Sequence, residues 1–395
     1  MQTHCPVCGS AEKRLIEERH GTPIFLNRLE ITREKALAAP LGDLVIFACD
    51  ACGFVWNQAF DAARIVYDTD YENDQTHSSA FNMHLTAMAD RVMAALPKGA
   101  PIDLLEIGCG QGVFIQALAK RAGARLRSAV GFDPAFRNLD LLKDTRIKVF
   151  GQYFDAGGLK CMDRPPNLVI TRHTIEHVGD PVEFLRTIHK ILSGVTAPVF
   201  VETPDVDWIL RRGEIQDLFY EHCSLFTAAS LMTALQRAGF GRVNVDHVFE
   251  GQYLWAEADM GGAVDARAGT RGEPPASANF ADERQRFVAT WKHRIREARG
   301  AVAVWGAGAK GVTFCFLVDP DGSAIDAVVD INPSKQQRFV PATGHSVVGP
   351  GELQDRGVNT VIVMNPNYRD EIAGMLAEMK LKAEILVLGN AVPSG

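Results

Sequence analysis

Short apolar runs alternate with segments of helical hydrophobic spacing through the middle of the chain. The apolar runs predict strands at residues 102–107, 127–133, 167–171, 197–202 and 242–248. The intervening segments predict helices at residues 112–123, 180–193 and 228–239. Such alternation indicates a parallel sheet with helices on both faces, which binds its ligands at the carboxyl ends of the strands.

Similar patterns flank this region on both sides. A helix is predicted from about Ser79 to Leu96, with one apolar face that covers the sheet. Residues 263–283 follow a Gly-Gly pair and contain a Pro-Pro pair, as linkers do, and a polar helix follows at residues 282–299. A second strand-loop-helix unit starts at residue 301, and residues 327–330 form its second strand. The predicted divisions of this α/β protein are residues 1–66, 67–262, 263–299 and 300–395.

Composition narrows the class of protein. At 395 residues, the chain is long enough for two or three domains. With 47% hydrophobic and 23% charged residues it has the composition of a soluble globular protein, without an apolar run of about 20 residues that could span a bilayer. The first five residues lack a basic start and an apolar segment, so we expect a cytoplasmic protein.

Charge bears on the partners of the protein. The net charge of −7 argues against binding to a nucleic-acid backbone, which requires clustered Lys and Arg. We therefore expect a small-molecule substrate, with neither a nucleic acid nor a membrane as partner. The sequence leaves monomer and homodimer equally open.

Two similar cysteine motifs occur near the N-terminus. Cys5-Pro6-Val7-Cys8-Gly9 and Cys49-Asp50-Ala51-Cys52-Gly53 each place two thiols on one tight turn, with a glycine that permits the bend. Two such turns predict a closed structural zinc site with Cys5, Cys8, Cys49 and Cys52 as ligands, which would stabilise a module with a small core. A redox-active pair is the alternative, although the duplication argues against it.

The first predicted strand runs into a glycine loop, Glu106-Ile107-Gly108-Cys109-Gly110-Gln111-Gly112. Alternate glycines let the backbone turn tightly and approach a ligand closely, which indicates a nucleotide-like cofactor. Asp133 ends the next strand 21 residues later, where a carboxylate can accept the ribose hydroxyls of an adenosine cofactor. NAD would satisfy the same geometry, but the glycine spacing differs from the Gly-x-Gly-x-x-Gly of dinucleotide folds.

A second glycine loop, Gly306-Ala307-Gly308-Ala309-Lys310-Gly311, does have the dinucleotide spacing. Asp330 follows Gly311 by 19 residues, so a complete NAD site would make the protein an oxidoreductase. A loop of this kind binds any diphosphate, however, and Lys310 places a positive charge where a pyrophosphate would lie. Asp330 can equally be an ordinary residue at the end of a strand.

These motifs resemble those of class I methyltransferases that use S-adenosylmethionine. The resemblance implies that Gly108 to Gly112 cradle the methionine part of the cofactor and that Asp133 binds its ribose. The segment Thr171-Arg172-His173-Thr174-Ile175-Glu176-His177 resembles the end of the fourth strand of that fold. The implied cofactor-binding residues are Tyr71, Glu106, Gly108, Gly110, Gln111, Gly112, Asp133, Pro134, Arg172 and His173.

The order of zinc module, methyltransferase domain and second Rossmann-like domain resembles the nucleotide-deoxysugar C-methyltransferases of the tetronitrose and mycarose C-3 type. Those enzymes methylate a carbon beside the ketone of a dTDP-linked 4-keto sugar. The resemblance implies a nucleotide sugar as substrate and a role in deoxysugar and antibiotic biosynthesis. The implied substrate-binding residues are Gly306, Gly308, Lys310, Asp330 and Tyr368.

Carbon methylation requires a base that removes the proton next to the carbonyl, and donors that stabilise the enolate oxygen. The resemblance implies His222 as the base, Glu221 as its orienting partner or as a ligand for sugar hydroxyls, and His177 as a donor to the enolate. The alternative for both histidines is a structural one, in which His222 packs the turn before the following helix.

Two positions depart from the pattern of the sugar enzymes. Phe219 stands where those enzymes usually have a tyrosine, and Leu225 where they have an aromatic residue; the adjacent Tyr220 is expected to point elsewhere. The remaining alternatives are methylation of an oxygen or nitrogen in another secondary metabolite, an NAD-dependent oxidoreductase, and a binding scaffold.

Overall fold

The computed structural model describes residues 4–155, 157–195, 197–261 and 280–388. Most of the predicted linker, residues 263–279, lies outside these ranges. No helix within the described ranges is both long and apolar enough to cross a bilayer.

The N-terminal part is an antiparallel sheet that begins just after the first cysteine pair. Its elements are β1 (Lys13–Pro23), α1 (Arg33–Leu37), β2 (Leu41–Cys49) and β3 (Val55–Asn57). The strands pair in the order β1-β2-β3. The second cysteine pair forms the turn between β2 and β3, which brings it back to the start of the chain.

The middle part contains the predicted alternation of strands and helices. Its elements are α2 (Ser79–Ala95), β4 (Ile102–Ile107), α3 (Val113–Ala122), β5 (Leu126–Phe132), β6 (Ile147–Phe150), β7 (Leu168–Arg172), α4 (Pro181–Ile191), β8 (Val199–Pro204), α5 (Val206–Arg212), β9 (Ser224–Leu225), α6 (Ala228–Ala238), β10 (Val243–Val248) and β11 (Tyr253–Ala258).

These strands form one sheet in the order β10-β11-β8-β7-β4-β5-β6, and β9 joins the N-terminal sheet instead. Neighbouring strands from β8 to β6 are parallel, as predicted. The prediction was wrong at one edge, where β11 is antiparallel to both β8 and β10. The reason is local, because residues 249–251 have positive φ angles and form a tight reversal instead of a helical crossover.

Two apolar cores cover this sheet, one on each face. Helices α2 and α3 contribute Phe81, Leu85, Phe114 and Leu118 to one core. Helices α4 and α6 contribute to the other, which also contains Cys5, Cys49 and Trp56. The cysteine module therefore packs on the same face as α4 and α6.

The C-terminal part is a second α/β unit. Its elements are α7 (Phe280–Glu297), β12 (Ala301–Trp305), α8 (Ala309–Val318), β13 (Ala327–Val329), β14 (Val347–Val348), β15 (Val358–Val363), α9 (Arg369–Glu378) and β16 (Glu384–Val387). The strands are all parallel and pair in the order β14-β13-β12-β15-β16. The fold class is therefore the predicted one, a class I methyltransferase domain followed by a second Rossmann-like unit.

Candidate functional site

The four N-terminal cysteines converge in one cluster. The Sγ atoms of Cys5 and Cys52 lie 3.7 Å apart and those of Cys8 and Cys49 3.5 Å apart. All four sulfur atoms lie within 4.8 Å of one another. Sulfur ligands about 2.3 Å from a tetrahedral zinc ion are separated by about 3.8 Å, so the donor set fits zinc. Such an ion would supply cross-links between the two turns and leave no open coordination position.

The first glycine loop connects β4 to α3. Gly108, Gly110 and Gly112 all have positive φ angles, of 71°, 53° and 74°. A Cβ atom at Gly108 would lie 1.9 Å from the Thr174 hydroxyl oxygen. Both the backbone conformation and the close approach therefore require glycine at this position.

Asp133, which follows β5, braces this loop. Its carboxylate accepts hydrogen bonds from the amides of Gly110, at 2.7 Å, and of Ala135, at 2.8 Å. Gln111 holds the same segment through the Ala135 carbonyl, at 2.9 Å. The loop and the acid predicted to hold the cofactor are thus joined, and Pro134 lies between the two bracing contacts.

Glu106 lies in β4, two residues before the loop, and is 2% exposed. Burial raises the pKa of its carboxyl group to about 8, although nearby Arg172 opposes the shift. One carboxyl oxygen has no hydrogen-bond partner among the described residues. A buried polar atom of this kind at a strand end is suited to a polar group of a ligand.

The second glycine loop connects β12 to α8 and is braced in the same way. Asp330 accepts hydrogen bonds from the amides of Ala307 and Asn332, each at 2.9 Å. Two lysines flank this loop: Lys310 Nζ lies 2.8 Å from Asp217 Oδ2, and Lys335 Nζ lies 3.7 Å from Asp330 Oδ2. The loop thus presents two ammonium groups, each held by a carboxylate.

A cavity of about 270 Å³ lies between the methyltransferase part and this second loop. The predicted substrate-binding residues line it, together with the predicted Tyr71, His173, His177 and His222. Further lining residues are Asn27, Glu176, Asp217, Phe219 and Lys335. The cavity lining does not include Glu106, Gly108, Gly110, Gln111, Gly112, Asp133, Pro134, Arg172 or Glu221.

The two predicted catalytic histidines are neighbours at one wall of the cavity. The rings of His177 and His222 have centroids 4.8 Å apart and are nearly perpendicular. Burial lowers the pKa of both imidazoles, so both are neutral near pH 7. A neutral imidazole can accept a proton, which is the state required of a base.

The carboxylate that clusters with these imidazoles is Glu176, which follows β7. One ligand atom from each of Glu176, His177 and His222 lies within 4.8 Å of the others. Glu221 is oriented differently, because its Oε2 accepts a hydrogen bond from the Leu26 amide at 2.9 Å. Burial raises the pKa of Glu221 to about 8, and a hydrogen bond with the Tyr71 side chain opposes that shift.

A strap, defined as residues 67–78, links the first glycine loop to the turn before α9. The Tyr71 carbonyl accepts a hydrogen bond from Arg137, whose amide bonds Gln111 of the first loop at 3.0 Å. At the other end, Gln75 accepts a hydrogen bond from the Tyr368 hydroxyl at 3.1 Å. The strap therefore borders both the predicted cofactor site and the cavity.

The aromatic positions that differ from the sugar enzymes have distinct surroundings. The Phe219 ring lies 4.1 Å from the His222 ring and lines the cavity. Tyr220 points away from the cavity and accepts a hydrogen bond from the Asp61 amide at 3.0 Å, whereas Leu225 is buried in β9. Tyr67 provides a hydroxyl near the histidines, since it lies 2.7 Å from His177 Nδ1.

Sequence reasoning missed several residues of this cavity, notably Asn27, Glu176, Asp217 and Lys335. Glu176 lies inside a motif that the sequence analysis selected, and Lys335 follows the selected Asp330 by five residues. Asn27 reaches the cavity from the N-terminal module and Tyr67 contacts His177 from the strap, and the local sequence of neither residue carries a signal for that position.

Comparisons with known proteins agree with this architecture. Residues 81–245 match the methyltransferase domain family, and residues 277–388 match the C-methyltransferase C-terminal domain family. The protein is therefore an S-adenosylmethionine-dependent methyltransferase of class I fold.

Its relatives include the C-methyltransferase NovU of Streptomyces niveus. That protein is 23% identical, in an alignment that covers 93% of this chain and 90% of NovU. The ubiquinone biosynthesis O-methyltransferase of Ruegeria pomeroyi is 30% identical over 26% of this chain and 42% of that protein. The predicted resemblance to C-methyltransferases of this domain order is confirmed.

Among solved structures, the CurJ carbon methyltransferase is 14% identical, with a TM-score of 0.36. The match covers 46% of this chain and 55% of that one.

Proposed function

We propose that this enzyme transfers a methyl group to a carbon next to the ketone of a nucleotide-linked keto-deoxysugar. The observation that carries the proposal is the cavity itself. It has neutral imidazoles on one wall and a glycine loop with two lysines on the other. The first wall suits removal of a carbon-bound proton, and the second suits a diphosphate.

In this proposal the first glycine loop holds S-adenosylmethionine. Gly108 to Gly112 approach the methionine part, and Asp133 accepts hydrogen bonds from the ribose. When bound, S-adenosylmethionine supplies an electrophilic methyl group on a positively charged sulfur. Thr174, two residues beyond the end of β7, packs directly against Gly108 and fixes that side of the loop.

His222 is the proposed base, because it is neutral, lines the cavity and lies against Phe219. Removal of the proton next to the carbonyl creates an enolate, whose oxygen needs a donor. His177 is suited to that role in the tautomer whose Nδ1 accepts from the Tyr67 hydroxyl at 2.7 Å, because its Nε2–H is then the donor. Lys310 and Lys335 then bind the diphosphate of the substrate beside the second loop.

A zinc ion bound by the four cysteines has a structural role in this proposal. The cysteine cluster belongs to the same core as α4 and α6, and β3 pairs with β9 directly after His222. Zinc would therefore stabilise the segment that carries the base. Cys49→Ser is expected to lower both the zinc content and the midpoint of thermal unfolding.

The proposal is tested with methyl-labelled S-adenosylmethionine and a dTDP-linked 4-keto-6-deoxysugar. The expected product carries the label on the carbon adjacent to the ketone, as seen by NMR. The enzyme should also exchange the proton at that carbon with deuterated water in the absence of cofactor. Label on an oxygen or nitrogen, or full exchange activity in His222→Ala, would contradict the proposal.

A further inference from the structure

Glu176 occupies a distinctive position in the cavity wall. Its side chain is 1% exposed, and Oε2 accepts a hydrogen bond from the Thr203 hydroxyl at 3.0 Å. Oε1 has no hydrogen-bond partner among the described residues, and it lies 3.6 Å from His173 Nδ1. The carboxylate thus has one oxygen anchored and one oxygen available beside the histidines.

A buried base needs a counter-charge once it accepts a proton. His222 is neutral before the reaction because burial disfavours its charged form. After proton removal it becomes an imidazolium in the same environment, which is costly unless a carboxylate lies close to it. The carboxylate that serves this purpose must be ionised and must not already be neutralised by another cation.

Glu221, Asp217 and Glu202 do not meet both conditions. Glu221 has a pKa raised by burial to about 8, so it is mostly protonated near pH 7. Asp217 is paired with Lys310, and Glu202 is held by Arg172 and His84, each at 2.5 Å. Glu176 has a free oxygen and lies within 4.8 Å of a ring nitrogen of His222.

We infer that Glu176, rather than Glu221, is the carboxylate that stabilises protonated His222 during proton abstraction. This inference rests on the proposed function and makes Glu176 a positioning residue that acts through His222. In the step concerned, the bond between the acidic carbon and hydrogen breaks, and its electron pair remains in the enolate. The proton forms a new N–H bond on His222, and the resulting cation pairs with the Glu176 carboxylate.

Several ionisable groups face Glu176 and His222 and contribute to any pH profile. His173 and His177 lie beside Glu176, Tyr67 bonds His177, and Lys310 opposes positive charge on His222. The test therefore compares wild type with a variant that is changed only at Glu176, so that these neighbouring groups are the same in both proteins.

The experiment measures deuterium exchange at the carbon next to the ketone, without cofactor, in wild type and in Glu176→Gln. We expect the plateau rate of the variant to fall by about 10²-fold, as for loss of acid-base assistance. The acid limb of its pH profile should move to lower pH, because removal of a carboxylate lowers the pKa of a neighbouring imidazole. A purely structural role would reduce the rate without moving the limb.

Glu214→Gln is the matched control, since Glu214 is equally buried but lies outside the cavity lining. It should keep the wild-type exchange rate and profile. Binding of S-adenosylhomocysteine by calorimetry shows that each variant is folded. Wild-type exchange rates in Glu176→Gln would overturn the inference alone, whereas no exchange in wild type would overturn the proposed function.

Metal analysis adds one independent arm, because Glu176, His177 and His222 could together offer ligands to a cation. An equal metal content in wild type and Glu176→Gln, with about one zinc per chain for the cysteine cluster, supports the charge-partner role. A second metal ion that is lost in Glu176→Gln would overturn it, since the carboxylate would then be a metal ligand.

Discussion

The loops after β4 and β12 are each braced by the aspartate that follows the neighbouring strand. Asp133 and Asp330 both accept two backbone amides, one from the loop and one from the residue two positions after the aspartate itself. This similarity explains why both loops match nucleotide-binding patterns. It means that the brace cannot decide which loop binds which ligand.

The glycines differ between the two loops. In the first loop, Gly108 is fixed by its positive φ and by Thr174, which leaves no room for a side chain. In the second, Gly308 has an extended φ of −103°, and a Cβ atom there would meet only Asn27 and Lys335, at 3.7 and 4.0 Å. The first loop is thus tightly packed at Gly108. The second is tight at Gly311, where a Cβ atom would lie 1.9 Å from the Gly306 carbonyl oxygen, and open towards the cavity at Gly308.

The charges differ even more. Glu106 lies two residues before Gly108, whereas the equivalent position before Gly306 is the fully buried Val304. Lys310 and Lys335 flank only the second of these two loops. The buried carboxyl group at the first strand end has an oxygen without a partner, which suits a polar group of a cofactor, and a loop with two lysines suits a phosphate. The side chains around the two loops, and not their backbone geometry, therefore support the proposed placement of the cofactor at the first loop and the diphosphate at the second.

The largest expected effect comes from an added methyl group in each loop. Gly108→Ala should weaken S-adenosylhomocysteine binding by about 10³-fold, roughly 4 kcal/mol, because it adds a clash to an unfavourable φ. Gly308→Ala should leave the affinity for S-adenosylhomocysteine within about threefold, since its Cβ makes ordinary contacts. It should raise KM for the nucleotide-linked acceptor, which is proposed to bind at this loop. Calorimetry and steady-state kinetics measure both. If Gly108→Ala instead raised KM for the acceptor and Gly308→Ala weakened S-adenosylhomocysteine binding, the cofactor would bind at the second loop and the acceptor at the first.

The buried acid of the first loop should leave a signature in stability against pH. The pKa of Glu106 is raised to about 8 in the folded protein from 4.5, so the folded state holds its proton more strongly. This contribution to the free energy of unfolding is complete below pH 4.5 and is lost as the pH rises towards 8. Its slope within that window is about −1.4 kcal/mol per pH unit.

Glu106→Gln should remove this slope, so its stability relative to wild type should increase from pH 5 to pH 8 in urea titrations. Val304→Ile is the matched change before the second loop and should leave the slope as in wild type. A parallel pH dependence in wild type and Glu106→Gln would show that Glu106 is ionised when folded.

Removal of the positive charge of Lys310 from the second loop should weaken binding of the acceptor and leave binding of the cofactor unchanged. Lys310→Ala should raise KM for a nucleotide diphosphate sugar by about 10- to 100-fold, as expected for a hydrogen bond to a charged group. Affinity for S-adenosylhomocysteine should remain unchanged, and Lys310→Arg should recover most of the loss. A weakened cofactor affinity, measured by calorimetry, would instead place the cofactor at the second loop.

Local patterns predicted the parts of this fold that depend on nearby residues. The glycines of both loops and the aspartates that brace them lie at fixed spacings after apolar runs, so the sequence reveals them. The short strand β6 and the antiparallel β11 were missed, because their pairing depends on neighbouring strands and not on their own pattern.

The cavity was harder to predict because it is assembled from distant segments. Tyr67 reaches His177 across 110 positions of sequence, and Leu26 bonds Glu221 across 195. No periodicity within either segment encodes such contacts. The sequence identified the histidines by their motifs, but only the folded chain places Glu176 beside His222.

The smallest expected effect tests the brace that the loops share. Asp133→Asn and Asp330→Asn each remove one acceptor for a backbone amide while the side-chain size is kept. Loss of one such bond is worth about 1.4 kcal/mol, or about tenfold in affinity. Asp133→Asn should therefore weaken S-adenosylhomocysteine about tenfold and leave KM for the acceptor unchanged, whereas Asp330→Asn should do the opposite. If either variant weakens both ligands equally, the two loops act as one site, because the strap at residues 67–78 would then couple them.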